Sequence, residues 1–127
     1  MNDNEQKEQL GELIKLAMDC MGVAVTIIDT KGTLLYYNQH ATNILDRKPE
    51  YIGTDTHLHH KKANSNKKMD LMLREFEEGR KAPFHYEAKP YGKIIFVTVS
   101  PIFKNGEFVG CVQTVKPNNV VSEDESP

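Results

Sequence analysis

The sequence predicts an α+β fold: a five-stranded antiparallel sheet with helices across one face and a separate helix at the N-terminus. Three observations carry this. Two β-branched or aromatic runs near the start are joined by the turn residues Asp29-Thr-Lys-Gly32. Three more strand-like runs near the end are joined by Pro90-Tyr-Gly92 and by Asn105-Gly106, whose residues tolerate the positive φ of a type I′ hairpin. Between the groups lies helical periodicity, so two strands and three are separated by helices and form one sheet.

From Asn4 to Met21, the residues Leu10, Leu13, Ile14, Ala17 and Met21 repeat at helical spacing, and Gly22 is a natural stop. Such a stripe must bury, either on its own domain or against the same helix of another chain. Val23 to Ile28 and Thr33 to Tyr37 read as a hairpin. Asn38 can cap a short helix from Gln39 to Leu45. A polar break containing Pro49 leads through Ile52-Gly53 to three histidines, His57, His59 and His60. A longer helix starts at Asn64 or Ser65, either a fit N-cap; Met69, Met72, Leu73 and Phe76 share one face and Gly79 suits its C-cap. Phe84 to Ala88, Lys93 to Phe103 and Glu107 to Val115 read as strands, with Ile95, Val97 and Val99 on one face of the second and Pro101 marking a bend or an edge. The chain thus divides into an N-terminal amphipathic helix (1–21), a domain (22–115) and a flexible acidic tail (116–127).

At 127 residues, with 39% hydrophobic and 27% charged residues, the chain is of single-domain size and needs no disulfide or metal to fold. A net charge of −2 gives no reason to expect nucleic acid or a membrane surface as partner. The two cysteines, Cys20 and Cys111, read as buried thiols. A polar, acidic N-terminus and the lack of any apolar run near about 18 residues predict a cytoplasmic protein.

Several stretches together resemble the PAS domain family: Gly22-Val-Ala-Val-Thr-Ile-Ile-Asp-Thr-Lys-Gly32 with Leu35-Tyr-Tyr-Asn38, then Ile52-Gly53, then Val99-Ser-Pro-Ile-Phe-Lys-Asn-Gly-Glu-Phe-Val-Gly110 and Val112-Gln-Thr-Val115. The resemblance spans about Gly22 to Val115 and implies a sensory or interaction module, not an enzyme, holding a ligand or cofactor between the long helix and the sheet. No Asp-Ile-Thr follows the last strand, so no output domain is expected on the same chain.

The histidine stretch is similar to a PAS subgroup with a Cys-His-Pro sequence, some members of which are associated with haem. That comparison makes His60 the candidate axial ligand of haem iron, with His59 and His57 next, because imidazole is a common ligand. The alternative is a polar loop of exposed histidines. Met69 and Met72 are further axial candidates, or core filler on the face that Leu73 and Phe76 complete around the cofactor. Lys61, Lys62, Lys67 and Lys68 would meet propionates, or form a solvated helix start. His40 and His85 read as surface histidines, and Cys111 as core. No nucleophile elbow, phosphate loop or zinc-protease motif is present. The functional expectation is a signal-sensing module binding a small ligand, haem foremost, for redox or gas sensing. A homodimer through the N-terminal helix or sheet and a separate signalling partner accompany it. The competing expectation is a ligand-free dimerisation or protein-interaction adaptor.

Overall fold

The computed structural model describes residues 2–59, 63–89 and 92–117. These form helix α1 (Asp3–Cys20), strands β1 (Ala24–Ile28) and β2 (Leu34–Tyr37), helix α2 (Ala41–Ile44), helix α3 (Ala63–Glu77), and strands β3 (Phe84–Ala88), β4 (Ile95–Lys104) and β5 (Glu107–Pro117). Among the described residues the strands make one antiparallel sheet in the order β2-β1-β5-β4-β3. The predicted two-plus-three α+β arrangement is therefore present, with β5 as the central strand joining the two groups.

Local chemistry accounts for each boundary. Asn2 accepts the Glu5 N–H at 2.8 Å and starts α1. In the β1–β2 turn, Asp29 Oδ1 accepts the N–H groups of Lys31 and Thr33, and Gly32 takes φ +90°. Asn105 and Gly106 both have positive φ, 52° and 81°, as a type I′ hairpin requires. Pro101 lies where β4 has run past the end of β3, whose last pair is Phe84 with Val99, so its missing N–H leaves no bond unmade on that side. Helix α3 closes with Arg80 N–H on Glu75 O and Gly79 N–H on Phe76 O, Gly79 at φ +108°.

Three expectations are corrected. Helix α3 starts at Ala63, so Asn64 and Ser65 lie inside its first turn and neither is the N-cap; Ala63 is a strong helix former and extends the helix backwards. Cys20 is exposed, because α1 buries none of its side chains. Strand β5 runs on to Pro117, paired with Ile95, two residues past Val115. The Pro90-Tyr91 part of one predicted turn and residues 118–127 of the tail lie outside the described residues.

The core lies between α3 and the sheet. Met69, Met72, Leu73 and Phe76 pack against Ile95, Val97, Val99, Cys111 and Val115, all buried. Each such side chain contributes about 1.5–3 kcal/mol. Phe76, fully buried, meets Phe84 edge-on at 5.3 Å and Phe108 at 5.7 Å.

Asn38, also fully buried, holds the other end together. Its Oδ1 accepts the N–H of Val25 (2.9 Å) and of Ala41 (3.1 Å), and its Nδ2 donates to Met18 O (2.7 Å) and Val23 O (2.9 Å). Its own N–H donates to Val25 O. One side chain so links α1, β1 and α2, and every partner is main chain. An Asn38→Asp substitution puts an oxygen against two carbonyls in place of a donor. The expected result is a loss of about 3 kcal/mol or more and a Tm drop on the order of 10 °C; denaturant unfolding showing a loss below about 1 kcal/mol would contradict this account.

Candidate functional site

Helix α3 does not seal the sheet. Between Met69, Met72 and Leu73 on the helix and Ile95, Val97, Val99 and Cys111 on the sheet lies a cavity of about 340 Å³, near the lower end of the usual range for small-molecule sites. Alternation on the strands decides its lining. Ile28 comes from β1; Cys111, Gln113 and Val115 from β5; Ile95, Val97 and Val99 from β4; and Tyr86 and Ala88 from β3.

One end is polar. Thr26 and Gln113 are register partners across β1 and β5, and both line the cavity. Arg47, half-buried after α2, donates from Nε to Thr26 Oγ1 (3.3 Å), from Nη2 to Gln113 Oε1 (3.4 Å) and from Nη1 to Asp46 O (3.2 Å). Burial raises the pKa of the Tyr86 phenol, opposed by a hydrogen bond from Gln113. Lys68 Nζ stands 4.1 Å from the Tyr86 ring centre. Burial, helped by the charge of Asp29, pushes the Cys111 thiol up to about 12, so it is an inert wall residue.

The sequence-predicted residues divide sharply. Met69, Met72 and Leu73 line the cavity, whereas Phe76 sits in the aromatic cluster beside it. Thr56 Oγ1 lies 2.7 Å from Gly32 O and 3.2 Å from Met69 Sδ, a contact that joins the first hairpin to α3. His59 lines the cavity, stacked on Tyr51 at 3.6 Å between ring centres, with Nε2 2.8 Å from Thr54 Oγ1. His57 does not line it; its two ring nitrogens meet Asp55 Oδ1 and Asp70 Oδ1, each at 2.5 Å. Ligation of iron by either nitrogen of His57, or by Nε2 of His59, would require one of those bonds to break. His60, Lys61 and Lys62 lie outside the described residues, and among the described residues no three metal-ligating side chains cluster. Lys67 is exposed; His85 is exposed on the sheet, Nδ1 3.0 Å from Thr98 Oγ1, and His40 precedes α2 without a side-chain capping bond.

Arg47, Thr26 and Gln113 were not singled out from sequence. Gln113 does carry a signal: it holds the inward position between Cys111 and Val115, where alternation leads one to expect an apolar residue.

Residues 14–116 match the family model described as PAS domain. The chain belongs to the PAS domain family. Among solved structures, a C-terminal domain from Streptococcus mutans is 20% identical with a TM-score of 0.69, over 86% of this chain and 85% of that one. The PAS domain of Bordetella pertussis BvgS is 14% identical with a TM-score of 0.67, over 93% and 90%. A sensory box sensor histidine kinase from Vibrio cholerae is 12% identical with a TM-score of 0.62, over 94% and 100%. No curated protein matches the chain. Among the described residues no helix is long and apolar enough to cross a membrane.

The histidine clasp yields a prediction. The hydrogen bond to Asp55, with Asp70 adding to it, raises the His57 pKa above its ordinary 6.5 against partial desolvation. Hydrogen bonds from the His57 backbone and side chain lower the Asp55 pKa below 3.8. The histidine's contribution to stability is complete below pH 6.5 and is lost as pH rises through its raised folded value; that of Asp55 is present above 3.8 and is lost as pH falls. The clasp is therefore tightest between those limits. Thermal unfolding between about pH 6 and pH 9 should show Tm falling with pH in the wild type and a shallower fall in Asp70→Asn. Equal slopes would mean that the clasp does not hold α3.

Proposed function

We propose that this chain is a non-catalytic PAS sensory module whose cavity holds a small organic ligand with a largely apolar body. The observation that carries the reading is the cavity itself, apolar along α3 and β4 and polar at Thr26, Gln113 and Arg47. That pairing of greasy walls with a few converging polar groups is what binding sites for small organic molecules use. The bonds already made by both nitrogens of His57 and by Nε2 of His59 favour such a ligand over haem held through those atoms.

The response would be a population shift. A ligand that favours one position of α3 biases the Thr56 contact to Gly32, hence the β1–β2 hairpin, hence Asn38 and the end of α1. Helix α1 exposes Leu10, Leu13 and Ile14 at 57%, 62% and 49%. This supports a second copy of the same helix as their cover, so the output passes through a homodimer.

Two measurements test this. Native mass spectrometry of chain purified without denaturation should show a small adduct, lost in Val97→Trp, which fills the cavity from the sheet. An adduct that survives this change would place the ligand elsewhere, and a saturable, shifted Soret band on haemin addition would restore haem. In sedimentation, Ile14→Glu should turn dimer to monomer; a wild type that is monomeric at all concentrations would remove α1 as the output.

A further inference from the structure

We propose that the cavity's ligand is a neutral molecule whose carbonyl oxygen accepts hydrogen bonds from the Thr26, Gln113 and Tyr86 end, with its apolar body against Met72, Val97 and Val99. This rests on the ligand-binding reading above and narrows it to a chemical class.

Thr26 and Gln113 sit side by side on the inner face of the sheet, while the inward residues around them, Ile28, Cys111, Val99 and Val115, are apolar or inert. Two polar side chains in the middle of such a face are costly unless bonded. Arg47 bonds both, and because a guanidinium can only donate, it decides which group each has left to offer. Its Nη2 takes the amide oxygen of Gln113, which leaves the amine for other partners. Its Nε takes a lone pair of Thr26 Oγ1, which leaves the hydroxyl its proton. The Gln113 side chain bonds the Tyr86 phenol in the sense that lowers its pKa, so the amine donates to the phenol oxygen. Burial outweighs that bond and keeps the phenol protonated, with its own proton to give. Arg47 is thus a positioning residue. What the cavity meets at this end is a row of neutral donors from three strands, Thr26 on β1, Gln113 on β5 and Tyr86 on β3.

A carbonyl is the group that matches such a row. It accepts two bonds and has no proton of its own to place, unlike an alcohol or an amine. A neutral carbonyl fits better than an anion. Arg47 already donates to Thr26, Gln113 and Asp46 O, and Lys68 and Lys89 are exposed to solvent, with Glu87 of opposite charge beside them. An anion would therefore exchange its hydration for neutral donors and apolar walls, which is costly, whereas a carbonyl gives up far less. The Asp46 carboxylate, also in the lining, opposes an anion further; its Oδ2 lies 3.4 Å from the Tyr51 hydroxyl. At about 340 Å³ the space accepts about eleven water-sized groups, taking about 30 Å³ for each.

The test is an NMR titration of the isotope-labelled full chain, which reads weak binding and locates it through the amides of Val97 and Cys111. The probes share one compact apolar body: indanone and oxindole carry a carbonyl, indane lacks it, and indane carboxylate is an acid. Bonds from neutral donors predict the two carbonyl compounds binding about tenfold more tightly than indane, and more tightly than the acid. In Tyr86→Phe, which removes one donor and keeps the ring, that advantage should shrink to about threefold or less. Thr26→Val, of similar shape, should shrink it likewise and serves if the first variant folds poorly. Indane binding as tightly as indanone, the acid binding most tightly, or an advantage untouched in both variants would overturn the carbonyl assignment and leave the cavity reading standing. No probe binding, together with no adduct in native mass spectrometry, would overturn both.

Discussion

The amide of Asn38 is the constraint on which the rest depends. Its oxygen faces two N–H groups and its nitrogen two carbonyls, all main chain, so its orientation is set by partners that cannot change roles. In a fully buried position the alternative to these bonds is four unsatisfied groups. Asp19 reinforces the same junction by accepting the Gln39 N–H at 2.8 Å. Without this knot the end of α1, the edge of β1 and the start of α2 would have no common frame.

The sheet face opposite α3 shows a second constraint, between close packing and open space. A face made only of Ile28, Val97, Val99 and Val115 would let α3 settle more closely and leave less space. Thr26 and Gln113 interrupt that face and pull Arg47 across it. Their presence makes sense if the protein must keep a cavity there rather than minimise one. Met69 and Met72 suit the helix side of such a space, because unbranched thioethers adapt to an occupant without strain.

Most of the architecture was legible because its causes are local. Alternation marked Ile95, Val97 and Val99 as one inward row, Asn105-Gly106 marked its hairpin, and the spacing of Met69, Met72, Leu73 and Phe76 marked the buried side of α3. Asn38 was legible only in part: its bond to Ala41 is local, whereas those to Met18 and Val25 cross thirteen or more residues. The polar end of the site was hidden for the same reason. Arg47 sits in an unremarkable polar break, and only folding sets it beside Gln113, 66 positions away. The histidine cluster drew attention by composition, yet His57 and His59 turned to carboxylates, a hydroxyl and a ring close by in the chain or on α3.

The cavity and the end of α1 are joined through one part of the fold, the first hairpin. Gly32 has no side chain, and a Cβ there would lie 3.3 Å from Met69 Cε and 3.4 Å from His57 Cε1. The turn is therefore pressed against α3 and the histidine segment together. Thr56 bonds the carbonyl of that glycine while touching Met69 sulfur, so α3 cannot shift over the cavity without loading the turn. Strand β1 leaves the same turn, contributes Thr26 and Ile28 to the cavity, and is gripped by Asn38 at its far end. Helix α1 carries little packing of its own that could absorb such a displacement. Its exposed leucines thus lie at the end of a short chain of stiff contacts from the cavity.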